Sequence, residues 1–369
     1  MSFENKKNIA FVLGRFTIGG VERVIVTMAN AFSANGWHVC IIAFSVDNKQ
    51  LLSGLNDNVI VEELSMPAFS LRNIMSLHKL MHRYNISYVI NNWALPFTLS
   101  AMLRMSLAKG AKLIAFHHTM PNRNGRLQGA SGLKKFIIEI ISRISLRIVY
   151  HLSDAYVVLS PSLMQVFRDF TGLRNTKKLA WIPNPINIEP KDTSDKEKVL
   201  LFVGRLSQKE KRVDRVIDVW ANLLAKLPDW RLDIVGDGPD MEFLQSLAKK
   251  LERVTFRGFD DAMPYFQKSK ILLLTSDFEG FPMVLVEAMA NGCVPIVYGS
   301  FPSVYDVVND GCGVIVPVPW DSNKFSDAVL RLIQNNSTWV DMSQSGKDVI
   351  YKYSVCNVFN KYIDLLQGI

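Results

Sequence analysis

Short β-branched runs alternate with longer helix-length stretches from one end of the chain to the other, and no other feature constrains the fold as tightly. The alternation predicts parallel sheets covered by helices on both faces. Two series are present. In the first, the candidate strands are Asn8–Leu13, His38–Ser45, Tyr88–Asn91, Lys112–His117, Ala155–Ser160 and Leu179–Ile182. In the second they are Lys198–Val203, Arg231–Val235, Arg253–Arg257, Ile271–Thr275, Val294–Tyr298 and Gly313–Val316. Between the series, a proline-punctuated segment from Pro183 to Pro190 runs into the charged stretch Lys191 to Lys198, the composition of a linker. Two doubly wound α/β domains follow, over 1–185 and 198–369, joined by 186–197, with the last helix free to pack back on the N-terminal domain. Ligands of such folds bind at the carboxyl ends of the strands, so the site is expected there and in the cleft between the domains.

With 369 residues, 49% of them hydrophobic and 21% charged, the chain is a globular protein and neither disordered nor low-complexity. The net charge of +8 is unevenly spread: residues 1–185 hold 21 Lys/Arg against 9 Asp/Glu, and the remainder 21 against 25. Between Glu63 and Asp154 the only acid is Glu139, among twelve Lys/Arg. Such a field suits an anionic partner, whether a phospholipid surface, a lipid pyrophosphate or a nucleic acid; a plain soluble basic surface is the alternative. A nucleic acid is disfavoured, because no recognised module and no interleaved aromatic platform is present. Cys40, Cys293, Cys312 and Cys356 are scattered, without the spacing of a zinc site, and fit free thiols in a reducing cytosol. No apolar stretch reaches the roughly 18 to 20 residues a spanning helix requires, so any membrane contact is expected to be peripheral.

From Lys134 to His151, the residues Lys135, Glu139, Arg143, Arg147 and His151 recur at i, i+4 on one stripe, and Ile137, Ile140, Ile141, Ile144 and Ile148 occupy the other side. The ordinary reading of this periodicity is a surface helix whose isoleucines pack on the sheet. A membrane-surface role is the alternative, modestly favoured by the apolar segment Trp93–Arg104 that precedes it.

The segment richest in chemistry is Ser276 to Pro295. Gly280 permits an unusual turn after the strand and Pro282 suits the first position of a helix, which leaves the amides of Met283, Val284 and Leu285 to offer an anion site. Glu279 and Glu287 flank that turn. Carboxylates there do not bind phosphate; they accept hydrogen bonds from sugar hydroxyls, Glu279 suiting a hexose and Glu287 a ribose. A second anion element follows the strand Lys198–Val203: Gly204-Arg205-Leu206, then Lys211 and Arg212, able to neutralise a pyrophosphate without a metal. Gly236-Asp-Gly-Pro239 is a strand-to-helix turn of the same domain and lacks the dinucleotide fingerprint.

These residues resemble a known family, the retaining nucleotide-sugar glycosyltransferases of family 4, which have the GT-B architecture of two Rossmann-like domains facing each other across a cleft. Glu279-Gly-Phe-Pro-Met-Val-Leu-Val-Glu287 is similar to the family's Glu-x7-Glu signature, and Val203-Gly-Arg-Leu206 with Lys211 to its Gly-Arg-Leu…Lys element. Ile234-Val-Gly-Asp-Gly-Pro239 and Ile182-Pro-Asn-Pro-Ile186 fit two further segments, and the opening Phe11 to Arg23 is similar to the family's glycine loop. The resemblance implies that Arg205 and Lys211 stabilise the departing diphosphate, helped by the amides and side chains from Phe281 to Leu285 and by the turn at Gly204. Lys209 is one residue pair away and competes with Lys211 for that role. It further implies Gly19 and Gly20 against the donor phosphates, Glu279 on the sugar, Glu287 on the ribose, and Arg257 and Gly258 along the base through backbone contacts. A histidine near the sugar is either His117 or His118.

By the same resemblance the donor is a UDP-sugar, the transfer of a hexose or N-acetylhexosamine retains configuration, and neither cofactor nor metal is needed. The variant motifs are similar to those of bacterial enzymes of surface polysaccharide, lipopolysaccharide, O-antigen and capsule synthesis. These imply a polyprenyl-diphosphate-linked saccharide as acceptor and a cytoplasmic chain at the anionic inner face of the membrane. The oligomeric state is left open. A non-hydrolysing UDP-sugar epimerase, a nucleotide-sugar-binding subunit and a nicotinamide-dependent oxidoreductase are the rivals, the last lacking a dinucleotide fingerprint.

Overall fold

The computed structural model describes residues 7–17, 19–47, 49–66, 68–92, 97–122, 132–187, 196–308 and 311–369. The chain divides into two compact units, one of Met1–Asn187 with Val355–Ile369 and one of Ile188–Ser354. Much of the expected linker therefore lies outside the described residues. The last fifteen residues belong to the first unit, the return to the N-terminal domain that was left open for the last helix.

The first unit is a seven-stranded parallel sheet of β1 (Asn8–Phe16), β2 (His38–Val46), β3 (Val59–Glu63), β4 (Tyr88–Asn91), β5 (Lys112–Phe116), β6 (Ala155–Val158) and β7 (Leu179–Trp181). Its order is β3-β2-β1-β4-β5-β6-β7. The second unit is a six-stranded parallel sheet of β8 (Glu197–Val203), β9 (Arg231–Val235), β10 (Val254–Gly258), β11 (Ser269–Leu274), β12 (Val294–Tyr298) and β13 (Val314–Val316), ordered β10-β9-β8-β11-β12-β13. Both are doubly wound, as the alternating sequence requires, and in each the direction of winding reverses beside the first strand. The strand missing from the sequence expectations is β3, an edge strand whose half-buried Val-Ile-Val-Glu-Glu carries too few apolar residues to stand out.

In the first unit the helices α2 (Leu71–Arg83) and α3 (Phe97–Ser106) cover one sheet face, burying Leu77, Leu80, Met81, Leu99, Met102 and Leu103 on Ala10, Val12, Val89 and Leu113. The opposite face is covered by α1 (Gly20–Ala34) and α13 (Val355–Gln367), which meet through Phe32, its ring 4.9 Å from Phe359 and 5.8 Å from Tyr362. Tyr362 then stacks on Phe116 at the end of β5.

Helix α4 (Gly132–Leu152) overturns an expectation. The face it buries consists of Ser142, Ser145, Leu146, Val149 and Tyr150, and its isoleucine face points to solvent. The small serines allow close approach to the layer beneath, and Tyr150 anchors the C-terminal end against Tyr156 and Phe167. The larger side chains are left outside. Trp93–Pro96, the start of the apolar segment before α3, lies outside the described residues.

Candidate functional site

Winding in the second unit reverses between β8 and β11, and the two loops leaving their carboxyl ends carry the charged residues singled out above. After β8 the chain turns at Gly204, with φ 155°, and presents Arg205, whose exposed guanidinium has no ion pair among the described residues. The loop then folds back so that Lys211 Nζ lies 2.5 Å from Glu279 Oε1, on the loop after β11. Ser276 Oγ donates to the same oxygen at 2.9 Å, and Glu279 Oε2 makes no hydrogen bond among the described residues. Both partners are largely buried, their side chains 20% and 13% exposed, which strengthens the attraction over that of a surface pair. Lys209 is exposed and takes no part. Of the two lysines, geometry therefore brings Lys211 to the site.

Three glycine turns hold Arg205 in place. Gly204 N–H donates to Val235 O, Leu206 N–H to Asp237 O and Gly236 N–H to Gly258 O, tying the ends of β8, β9 and β10 together. A Cβ on Gly236 would lie 1.9 Å from Gly204 O, and one on Gly238 2.3 Å from Leu206 O, so only glycine lets the second turn pack directly on the first. Asp240 completes the support by accepting from Gln208 N–H at 2.7 Å.

The loops after β8 and β11 are joined by residues that sequence reasoning missed or misread. Asp277 receives Arg215 Nη1 at 2.6 Å and Arg212 Nη1 at 3.3 Å, and its own N–H donates to Glu210 O. Arg212, read as a phosphate ligand beside Lys211, is committed to Asp214 and Asp277, which hold its pKa above the ordinary arginine value. Arg215 is buried with its guanidinium over the rings of Tyr298 and Trp320, 5.0 Å and 4.8 Å away. The acidic neighbour two residues before Glu279 was the signal that those arginines were structural.

The turn into α9 (Met283–Ala290) also differs from expectation. Pro282 is the cap residue and not the first helical one. Met283 N–H closes onto Phe281 O and Leu285 N–H onto Pro282 O, so of the three amides only that of Val284 has no backbone acceptor among the described residues. Phe281 is buried against Tyr353, ring centroids 5.4 Å apart, and the Leu285 side chain is fully buried; both serve the core. Glu287 is half-buried one helical turn before Asn291, whose Nδ2 donates to Glu287 O. The Arg257 guanidinium is held by buried Asp233 at 3.2 Å.

In the first unit, Gly19 caps α1, and a Cβ there would meet Glu22 Oε2 at 2.5 Å; Gly20 faces open space. His117 is buried, with Nδ1 3.0 Å from Tyr156 OH and Nε2 3.1 Å from Thr119 Oγ1, so both ring nitrogens are occupied. Burial pushes its pKa down to about 4. His118 stacks on Phe116, engages Asn92 Oδ1 through Nε2 at 3.0 Å, and leaves buried Nδ1 without a partner. Burial holds its pKa at about 3. Of the two, His118 keeps a free nitrogen. Among the described residues no three His, Cys, Asp or Glu side chains come close enough to hold a metal ion, and no helix is long and apolar enough to cross a membrane.

Residues 18–190 match the family model Glycosyltransferase Family 4, and residues 184–349 the model Glycosyl transferases group 1. Each half of the chain thus matches a glycosyltransferase model. An uncharacterized glycosyltransferase of Haemophilus influenzae is 25% identical over 98% of this chain and 100% of its own length. A Campylobacter jejuni enzyme, GalNAc-α-(1→4)-GalNAc-α-(1→3)-diNAcBac-PP-undecaprenol α-1,4-N-acetyl-D-galactosaminyltransferase, is 25% identical over 82% of each chain. Among solved structures, Anabaena HepE in complex with UDP and glucose superposes with a TM-score of 0.80 at 17% identity, over 98% of this chain and 100% of that one. That likeness is one of fold: two Rossmann-like domains of the GT-B glycosyltransferases.

Proposed function

We propose that this chain is a retaining glycosyltransferase that moves a hexose or N-acetylhexosamine from a UDP-sugar to a polyprenyl-diphosphate-linked saccharide, without a metal ion. The observation that carries the proposal is the buried Lys211–Glu279 pair at the reversal point of the second unit, its lysine on the same loop as the exposed Arg205, which has no ion pair among the described residues. Arg205 supplies a planar fork and Lys211 a point charge to the diphosphate as it leaves, and the Val284 amide adds a neutral donor. Glu279 uses the oxygen left free by Lys211 and Ser276 to accept from a sugar hydroxyl. Configuration is retained when the leaving phosphate oxygen takes the acceptor's proton on the face it departs from, so the protein contributes positioning and charge stabilisation. His118, neutral at physiological pH, presents Nδ1 as a hydrogen-bonding atom near the end of β5. HepE, which binds UDP and glucose, supports the donor class, and the Campylobacter enzyme, which acts on an undecaprenol-linked saccharide, supports the acceptor class. An acceptor of that kind brings the chain to the inner membrane face.

The test is UDP release in EDTA from a panel of UDP-hexoses and UDP-N-acetylhexosamines, with and without polyprenyl-diphosphate saccharides, followed by assignment of the product's anomeric configuration. One donor used only with the lipid present, giving a retained product, is expected. Isomerisation of a donor without UDP release, or activity that appears only on adding manganese, overturns the reading.

A further inference from the structure

Helix α2 sets two histidines one turn apart on its outer side. Ser70 Oγ caps the helix by accepting from Asn73 N–H at 3.2 Å, and buried Asn73 ties the first turn back to Ser65 O and Ala68 O. Leu77, Leu80 and Met81 are buried beneath the helix, which fixes its rotation and turns His78 and His82 to solvent. Residues at i and i+4 are neighbours on a helix surface. Here the two imidazoles meet edge to face, with ring centroids 4.3 Å apart and an interplanar angle of 61°. Apart from that contact neither ring makes a hydrogen bond or an ion pair among the described residues, so the ring nitrogens are uncommitted.

Two imidazoles that bind one ion through nitrogens about 2.0–2.1 Å from it, at an opening of about 90–110°, place their ring centres roughly 4.5–5.2 Å apart. The observed separation lies just below that range, so closing on an ion takes rotation about side-chain bonds and no movement of the backbone. The surroundings choose the ion. Helix α2 carries no Asp or Glu, Lys79 is exposed next to His78, and Arg83 lies over the Tyr84 ring at 5.3 Å. A hard ion such as Mg²⁺ or Ca²⁺ needs oxygen ligands and finds only cations here. Imidazole binds through a lone pair on a neutral ring and suits Zn²⁺, Ni²⁺ and Cu²⁺. His82 also stands in the last turn of the helix, whose free carbonyls favour a cation. We infer that His78 and His82 form a bidentate site for a borderline divalent transition-metal ion, with water in the remaining positions. The pair belongs to the first unit, whereas Lys211 and Glu279 belong to the second, and the inference takes nothing from the transferase reading.

The experiment is calorimetric titration of the full chain with Ni²⁺, which does not oxidise the exposed Cys356 thiol, in a neutral buffer without metal ligands. One ion per chain is expected, and a hundredfold excess of Mg²⁺ is expected not to displace it. His78→Ala and His82→Ala are each expected to weaken binding by at least about tenfold, because the second nitrogen no longer closes the ring at high effective concentration. His38→Ala and His151→Ala, at exposed histidines with no histidine four residues away, are expected to bind as the wild type does. All four substitutions are at exposed side chains, so without metal each variant is expected to keep the wild-type melting temperature. Failure of the transferase reading would show in UDP release and leave this titration unchanged. Nickel binding that survives both His78→Ala and His82→Ala, or a wild-type affinity no tighter than theirs, overturns the inference.

Discussion

Lys211 and Glu279 come from loops 68 positions apart in sequence, and each is the other's means of being buried with charge. Removing either leaves a largely desolvated partner, so Lys211→Ala is expected to lower both stability, by about 1–3 kcal/mol, and transfer rate, by about a hundred- to a thousandfold. Arg205→Ala, at an exposed residue with no pair to break, is expected to cost rate to a similar degree with no change in denaturant midpoint. Measuring both quantities in both variants separates the two roles. Glycines divide in the same way. Gly236→Ala drives a methyl into Gly204 O and is expected to destabilise by more than about 2 kcal/mol. Gly20→Ala enters open space; stability within about 0.5 kcal/mol of wild type, with weakened UDP-sugar binding, is the outcome expected if that glycine lies against the donor. Burial keeps His117 neutral down to about pH 4, whereas an unfolded chain protonates it near 6.5. Between those values the unfolded state holds more protons, so stability rises with pH across the window and is lost as pH falls. Urea midpoints from pH 7 to 4 are expected to fall less steeply in His117→Gln. At this scale the sequence was legible where a charged residue follows a strand, as at Arg205, Lys211 and Glu279. It was illegible where direction decides: Arg212 and Phe281 occupy the right segments with side chains turned to Asp277 and Tyr353.

Elements tell a complementary story. Fully buried strands such as Tyr88–Asn91 and Val294–Tyr298 are continuous apolar runs with turn residues at each end, so their bounds could be read directly. Edge strand β3 could not, because half of it faces water. Helix α4 shows the limit of periodicity: the pattern finds the two faces but does not say which is inside, and the serine face won because a helix with small residues can sit closer to its neighbours. For helix α13 the return to the N-terminal domain was left open, while its particular contacts with Phe32 and Phe116 were not legible, since nothing local encodes them. Tyr362 is nearly fully buried between those rings. Tyr362→Ala is expected to cost the first unit about 3–5 kcal/mol and to leave the second unit's near-ultraviolet dichroism intact.

The whole molecule is two cores with different charge, the first 185 residues carrying a surplus of cations and the rest a slight surplus of acids. Each core encloses its own sheet, so calorimetry is expected to resolve two transitions. Arg205, Lys211, Glu279 and Glu287 all belong to the unit of Ile188–Ser354. Saturating UDP, at about a hundred times its dissociation constant, is expected to stabilise that unit by about 2.7 kcal/mol and to raise its melting temperature above that of the other. Equal shifts in both transitions would mean that the nucleotide is held as much by the first unit. The return of α13 to the first unit also orders events on the ribosome. Domains made early usually finish folding early. Here the aromatic cluster around Phe32 waits for a helix translated after the whole second unit, so the earlier-made half matures last, and a chain released after Ser354 would leave Phe32 without its cover from Phe359 and Tyr362.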